Sequence, residues 1–445
     1  MKIKYIISLL IVNFGFNNTP ELDSLEKFID DKDFLSVIEL ADDVIKKSLK
    51  QDHSFFKKAS ESALLLDDFD KSIQYLKKAI SVNDTKEYRE EWDRIVRMRK
   101  DIEIALKSYQ EENKMDEAIA ALESLKDSYS NCALIDYSIG KIYQQEEDYQ
   151  SSLKWFKAAV KINPYREKYN LSLNYIIGRF ITDGDDYYSM RDFSTALDQY
   201  LFAYNNLSFS TNDSEEIKKI VALKFKIAKT YYFLKDYTKS RQMLESLVLL
   251  DSNHYEGYKL LGDVLKKDGD RTAALDKYLN SIAINEDYEK AYLAVGQIYF
   301  SEGDYEKALN YLETAIEIKK DYAKAYETIG VIYQNSADSG NSKDYTKAIY
   351  YYEQAVGYDR RNYKVMSRLS SVYNNLEKFD LAKKYAKDCI KIKRSYPDAY
   401  YELGLSEKGL GNRIAAIEAF KSAKKSSKWR KIAQYEIDLI KKELH

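Results

Sequence analysis

Small and apolar residues recur three and four positions apart along most of the chain, and the pattern repeats. Ala228, Gly262, Gly296 and Gly330 stand 34 residues apart. Tyr258 and Leu261 flank Gly262, with Ala274 and Tyr278 beyond. Tyr292 and Tyr299 flank Gly296, with Ala308, Leu312 and Ala315 beyond. Tyr326 and Tyr333 flank Gly330, with Ala348, Tyr352 and Ala355 beyond. Ser370 and Gly404 continue the series with Tyr373, Ala382, Tyr400, Ala416, Phe420 and Ala423. Residues three or four apart share one face of a helix. Small residues let two helices approach, and aromatics fill the wedge to the next pair. A period of this length describes two-helix units that cannot hide their apolar faces alone and must stack. The pattern therefore predicts an all-α solenoid.

A second signature supports this register. An Asp followed by an aromatic occurs at Asp33-Phe34, Asp68-Phe69, Asp148-Tyr149, Asp192-Phe193, Asp236-Tyr237, Asp304-Tyr305 and Asp344-Tyr345. Asp is a preferred N-cap because its carboxylate accepts from an orphan amide, and negative charge suits that helix end. Each of these pairs is expected to start the second helix of a unit.

Aromatic, Leu-Gly, aromatic, then a small residue and another aromatic: this order resembles the tetratricopeptide repeat. The match is close over 217–428 and looser over 20–206. The closing proline of the pattern survives at Pro164, after Gly140, Tyr143, Phe156 and Ala159. The resemblance implies a right-handed superhelix of about eleven helix pairs. The pairs fall near 21–51, 53–84, 86–130, 133–164, 167–206, 217–252, 255–287, 289–320, 323–361, 363–394 and 397–428, and 429–445 forms a capping helix. It also implies that the first helix of each pair lines a concave groove that holds a protein or peptide. Carried onto this chain, the groove includes Tyr137, Lys141, Phe225, Lys229, Tyr232, Lys259, Lys266, Leu293, Gln297, Phe300 and Tyr401, with Glu327, Gln334 and Asn374 at equivalent positions. Phe225, Tyr232, Leu293 and Phe300 read as an apolar patch beside Lys229 and Lys266. Some family members clamp a C-terminal carboxylate with Lys and Asn one turn apart. The pairs here are Lys259 with Asp263, Phe225 with Lys229, and Leu293 with Gln297, and none matches.

Composition changes little in this picture. Three prolines and 15 glycines in 445 residues suit long helices. Many of the 41 tyrosines occupy repeat positions. Cys132 and Cys389 lie many units apart, too far for a disulfide. Cys389 stands where other units carry Ala315, Ala355 and Ala423, so it reads as a small buried thiol. Two cysteines and three histidines offer no metal-ligand spacing. Residues 361–445 hold 20 Lys or Arg against 10 Asp or Glu, a basic end open to an acidic partner or an anionic surface. No nucleic-acid motif accompanies it.

Lys2 and Lys4 precede an apolar run from Tyr5 to Val12, extended by Phe14 and Phe16. That is the form of a secretory signal over 1–18, with residues 4–16 as a membrane anchor the alternative. An exported chain, periplasmic or at the cell surface, is expected. Three places interrupt the period. A helix near Glu87–Glu112 is overlong, with Tyr88, Trp92, Ile95, Ile102, Leu106 and Tyr109 on one seam; it packs on its neighbours or protrudes toward a partner. The polar stretch Ser208–Glu216 is a candidate boundary, and Ser336–Ser342 inserts a surface loop.

Phosphate loops, nucleophile elbows and dinucleotide fingerprints are missing from the sequence, so no enzyme and no cofactor is expected. Asp183-Gly184-Asp185-Asp186 lacks the completion of a calcium loop and falls in a long helix. The expected function is an exported scaffold that binds a protein or peptide and supports an envelope complex. The alternative is a glycan or wall polymer stacked on groove aromatics.

Overall fold

The computed structural model describes residues 19–112, 114–207 and 214–444. Residues 1–18, read above as a signal or anchor, lie outside them, as do 208–213 of the polar stretch. All regular secondary structure among the described residues is helical. The first helices are α1 (Pro20–Asp30), α2 (Phe34–Lys46), α3 (His53–Leu65), α4 (Phe69–Val82), α5 (Lys86–Glu112), α6 (Met115–Ser128), α7 (Ala133–Gln145), α8 (Tyr149–Ile162), α9 (Glu167–Ser189) and α10 (Phe193–Asn206). There follow α11 (Ser214–Phe233), α12 (Tyr237–Leu250), α13 (Tyr255–Lys267), α14 (Arg271–Ile284), α15 (Glu289–Glu302), α16 (Tyr305–Ile318), α17 (Ala323–Asp338) and α18 (Asp344–Tyr358). The chain closes with α19 (Tyr363–Asn375), α20 (Phe379–Ile392), α21 (Pro397–Gly409), α22 (Arg413–Ala423) and α23 (Arg430–Leu444). These are the eleven expected pairs and the closing helix. The described residues form two compact units, residues 19–189 with 201–207 and residues 190–200 with 214–444. The division passes through α10.

Within a pair, the turn is built the same way almost throughout. Its last residue before the cap adopts a left-handed backbone: Lys32, Asp67, Glu147, Arg191, Lys235 and Glu377 have φ between 56° and 65°. Only Gly269, Gly303 and Gly411 meet that need with glycine. The next amide then reaches back five residues, as Asp68 N to Ala63 O at 2.9 Å and Asp236 N to Tyr231 O at 3.0 Å, which closes the first helix. The next side chain opens the second. Asp33, Asp68, Asp148, Asp192, Asp236 and Asp304 each accept the amide three residues on, at 2.9–3.2 Å.

Asp344 departs from the expected pattern. It is the first residue of α18, behind the cap position of Lys343. Its buried carboxylate instead accepts from Ser336 Oγ at 2.6 Å and Asn341 Nδ2 at 2.7 Å. The insertion is also only partly a loop, because Ser336 to Asp338 continue α17. Asp270 caps α14 in the same way as the others, but its neighbour is Arg271, so the aromatic signature passes over it.

The recurrent small residues are required by shape. A Cβ on Gly140 would lie 2.6 Å from Phe156, on Gly262 2.5 Å from Tyr278, on Gly296 2.7 Å from Leu312, on Gly330 2.5 Å from Tyr352 and on Gly404 2.5 Å from Phe420. Where the first helix carries Ser60, Ala228 or Ser370, the corresponding second-helix position holds the smaller Leu76, Leu244 or Ala386, all buried. The buried rings Phe156, Tyr278, Tyr352 and Phe420 all face glycine, whereas aliphatic side chains face Ser, Ala or, at Gly296, glycine. Burying such a ring contributes about 2–3 kcal/mol per unit. Helix pairs are also sewn together by hydroxyls: Ser152 donates to Gly140 O, Ser240 to Ala228 O and Ser370 to Ala382 O at 2.8–2.9 Å. The buried tyrosines keep acceptors at their tips. Tyr75 donates to Asp42 at 2.7 Å, Tyr278 to Asp263 at 2.9 Å and Tyr352 to Gln334 at 2.7 Å. Burial raises the pKa of all three phenols, chiefly by desolvation, and so keeps them protonated.

The first unit folds back on itself. The Asp67 side chain, 7% exposed, accepts from Tyr169 Oη at 2.6 Å and pairs with Lys168 at 2.7 Å and Arg166 at 3.2 Å. Asn163 Nδ2 donates to Leu65 O at 2.6 Å beside it. The α3–α4 turn is thereby tied to the α8–α9 connection. A cavity of about 380 Å³ lies against this tie, with Leu64, Phe69, Ile95, Met98, Cys132 and Ile162 among its walls. Burial pushes the Cys132 thiol up to about 11. The overlong α5 is packed inside the unit. Tyr88, Trp92 and Ile95 join the cluster around Phe55 and Tyr75, while Ile102, Leu106 and Tyr109 join the one around Ile139. Met98, 8% exposed, carries the seam across the interruption at Arg99. Helix packing is between near neighbours in both units, and among the described residues the second unit shows no side-chain tie of this span. Each of its helices packs on those one or two places away in order.

Candidate functional site

In the second unit the first helices of successive pairs touch each other: α11 with α13, α15 with α17, α19 with α21. The sides these first helices turn away from their second helices make up the first-helix face. The expected groove residues of the second unit belong to its first helices, but their apolar members do not form a single patch. Phe225 and Tyr232 pack on the cluster around Leu261 and Tyr278, and Phe225 meets the His254 ring at 5.0 Å. Leu293 and Phe300 belong to the next cluster, around Leu312 and Ile329. Leu293 is buried at 9% exposure, and the rings of Phe225, Tyr232 and Phe300 are half-buried. Lys259 pairs with Asp263 at 2.6 Å, and Lys229 and Lys266 are exposed. Desolvation of the Lys266 ammonium, with Lys259, Lys267 and Arg271 nearby, lowers its pKa against the pull of Asp263. Gln297 is half-buried. Tyr401 stacks on Trp429 at 4.0 Å and 18°. In the first unit, Tyr137 is wedged between Phe156 at 5.4 Å and Tyr169 at 4.8 Å, and Lys141 donates to Gln144 at 2.7 Å.

A recess on this face lies near its C-terminal end. It encloses about 320 Å³ between α17, α19, α21 and the α22–α23 link. Glu327 and Gln334 come from α17; Lys364, Ser367, Arg368 and Ser371 from α19; Tyr396, Asp398 and Glu402 from the start of α21; Lys428 and Trp429 close it. Glu402 is 8% exposed and accepts from Asn374 Nδ2 at 2.8 Å. Burial pushes its carboxyl up to about 7, against hydrogen bonds from Asn374 and Ser371 that pull the other way. The positional rule had picked out Glu327, Gln334 and Asn374 but passed over Glu402. Its signal is a carboxylate two residues before Gly404, where equivalent sites hold Leu260, Ala294 and Thr328.

The basic end is partly neutralised within the fold. Lys383 and Lys387 pair with Glu407 at 2.9 and 3.9 Å, and Lys408 pairs with Glu436 at 2.7 Å. Cys389 is fully buried, its thiol donating to Tyr363 O at 3.1 Å. Among the described residues no group of three His, Cys, Asp or Glu could hold a metal ion, and no helix is long and apolar enough to cross a membrane.

The stacked pairs with a shared first-helix face define a helical-repeat protein of the kind that binds other proteins. Family models for tetratricopeptide repeats match residues 296–336, 137–166, 105–131 and 222–254. A model described as the TT21 fifth ARM repeats domain matches 339–440. These matches support a tetratricopeptide-repeat protein, and a fold of this kind supports a protein–protein interaction scaffold. The comparison with curated proteins returns no match. Among solved structures, the chain is similar to MamA at 26% identity and a TM-score of 0.33, over 41% of this chain and 96% of that one. It is similar to YrrB, described as a TPR protein with an unusual peptide-binding site, at 16% identity and a TM-score of 0.37, over 43% and 96%. It is similar to PilF of Pseudomonas aeruginosa at 13% identity and a TM-score of 0.44, over 49% and 99%.

Proposed function

We propose that this protein is an exported scaffold that holds a segment of a partner protein on the first-helix face of its second unit, in support of an envelope complex. The observation that carries the reading is the recess between α17, α19 and α21, which combines aromatic walls with buried polar groups. Such a mixture fixes a segment's side chains while the helices supply a continuous track. Glycan stacking needs open ring faces. Within the repeat pairs of the second unit the exposed tyrosines, Tyr305, Tyr350 and Tyr358, instead belong to the second helices α16 and α18, which favours a peptide on that unit's first-helix face. The charged start and apolar run of residues 2–16 support export. The lysines of residues 361–445 that remain outside ion pairs offer a second, electrostatic contact to an anionic surface.

A photo-crosslinking amino acid placed at Ser371 tests the binding face in native cells, with Leu249 on α12 as the control. Adducts mapping to one defined partner segment from Ser371 and absent from Leu249 are the expected result. Equal adducts from both positions would remove the assignment. Sequencing the mature N-terminus from an envelope fraction tests export; a chain retained in the cytosol with Met1 intact would contradict it.

A further inference from the structure

We infer that the recess beside Trp429 receives a basic side chain, arginine or lysine, from the bound segment; this rests on the peptide-binding reading of that face. At about 320 Å³ the recess is at the small end of ligand pockets, room for one long side chain. Three carboxylates reach it. Glu327 already pairs with Lys324 at 3.0 Å and accepts from Asn362 Nδ2 at 3.2 Å. Asp398 already pairs with Lys428. Glu402 forms no ion pair among the described residues, although it is 8% exposed. Its neighbour Asn374 is 9% exposed and spends its amide on the Glu402 backbone and side chain, leaving a buried Oδ1 with no donor. Asn374 does not line the recess, so Glu402 is the group a guest meets there, and a buried carboxylate without an ion pair of its own is costly. A guanidinium or ammonium supplies charge and several donors together.

The aromatic walls fit the same guest. Trp429 is held flat by Tyr401, and Tyr396 is braced edge-on by Tyr363 at 5.0 Å. The chain's own Lys428 displays the chemistry, because its ammonium lies 4.5 Å from the Trp429 ring centre while pairing with Asp398. Lys428 is 64% exposed, so it competes for the recess without sealing it. Lys364 and Arg368 also border the recess, but both are exposed, and Arg368 is engaged with the Tyr352 hydroxyl. Water screens their repulsion, whereas the attraction of Glu402 acts from inside the wall.

Protonation of Glu402 adds a signature. The groups facing it are Asn374, Ser371 and Arg368 of α19, Asp398 of α21, Glu327 of α17, and Lys428. A raised carboxyl near 7 in the free protein is half neutral at that pH. A bound cation favours the ionised form, so binding releases a proton and tightens as pH rises.

The test titrates the full chain with N-acetyl-arginine amide and follows the indole N–H resonance of Trp429, one of three tryptophans, assigned with Trp429→Phe. The arginine probe should move that resonance, with affinity rising about tenfold from pH 6 to pH 8. Glu402→Gln should abolish both the binding and its pH dependence. Lys428→Ala should tighten binding several-fold, an effect that a purely structural Glu402 would not produce. An unmoved resonance, equal binding by Glu402→Gln, or preference for N-acetyl-aspartate amide would overturn the inference; the last would make the recess an anion site served by Lys364 and Arg368. A positive arginine titration with no Ser371 adduct would sink the peptide reading and leave the recess standing, and the reverse would do the opposite.

Discussion

The α3–α4 turn of the first unit and the α11–α12 turn of the second share one backbone. Each has a left-handed residue followed by an Asp cap, and each closes its first helix with the same reach-back bond. In the second unit the left-handed residue is Lys235, exposed to solvent. In the first it is Asp67, whose carboxylate is bound by Tyr169, 102 residues away, and by two cations. One side chain turns a local connection into a long-range tie. The two units should therefore respond differently to damage. A chain of nearest-neighbour contacts confines a local fault to adjacent helices. A closed unit transmits it across the tie.

The largest effect expected is that of Asp67→Ala. It leaves the fully buried Tyr169 hydroxyl without its acceptor and strands two cations, at about 3 kcal/mol. Hydrogen exchange should accelerate together in α3–α4 and α8–α9; acceleration confined to α3–α4 would mean that the tie is incidental. In the second unit, Gly262→Ala forces a methyl against Tyr278 and should cost about 2 kcal/mol. Here faster exchange should stay within α13, α14 and the helices beside them. Spread as far as α19 would erase the contrast between the units. The smallest effect is a gain. Lys235→Gly relieves a left-handed backbone and should stabilise α11–α12 by about 1 kcal/mol, read as slower exchange there. Glu147→Gly should give the same gain in the first unit, since that turn is equally local. Unequal gains would show that the shared backbone hides unequal strain.

Much of the fold was legible in the sequence because its causes are local. Gly-to-aromatic spacing and Asp caps act within one helix pair, and both survive in the linear order. The exceptions have local explanations too. Asp270 lacks an aromatic neighbour, and Asp344 was displaced by an extra turn of α17. The site was less legible because burial is decided by other helices. Leu293 and Phe300 share a periodic position with Phe225 and Tyr232, yet separate clusters absorb them. Glu402 looks in sequence like any surface glutamate. Its character appears only when α19 and the α22–α23 link cover it. The Asp67 tie left no signal at all, because nothing in the spacing of residues 67 and 169 marks them as partners.

The pairing of glycine with rings, and of serine or alanine with slimmer side chains, also bears on engineering by cut and paste. A hybrid that splices α14 directly after α11 would bring the Tyr278 ring against the methyl of Ala228 and jam. Splicing α12 after α13 would bring Leu244 against Gly262, a pairing the chain already tolerates as Leu312 on Gly296, so the mismatch runs in one direction only. Both halves would look interchangeable on paper, so a transplanted ring-bearing second helix in this protein must travel with its glycine-bearing partner.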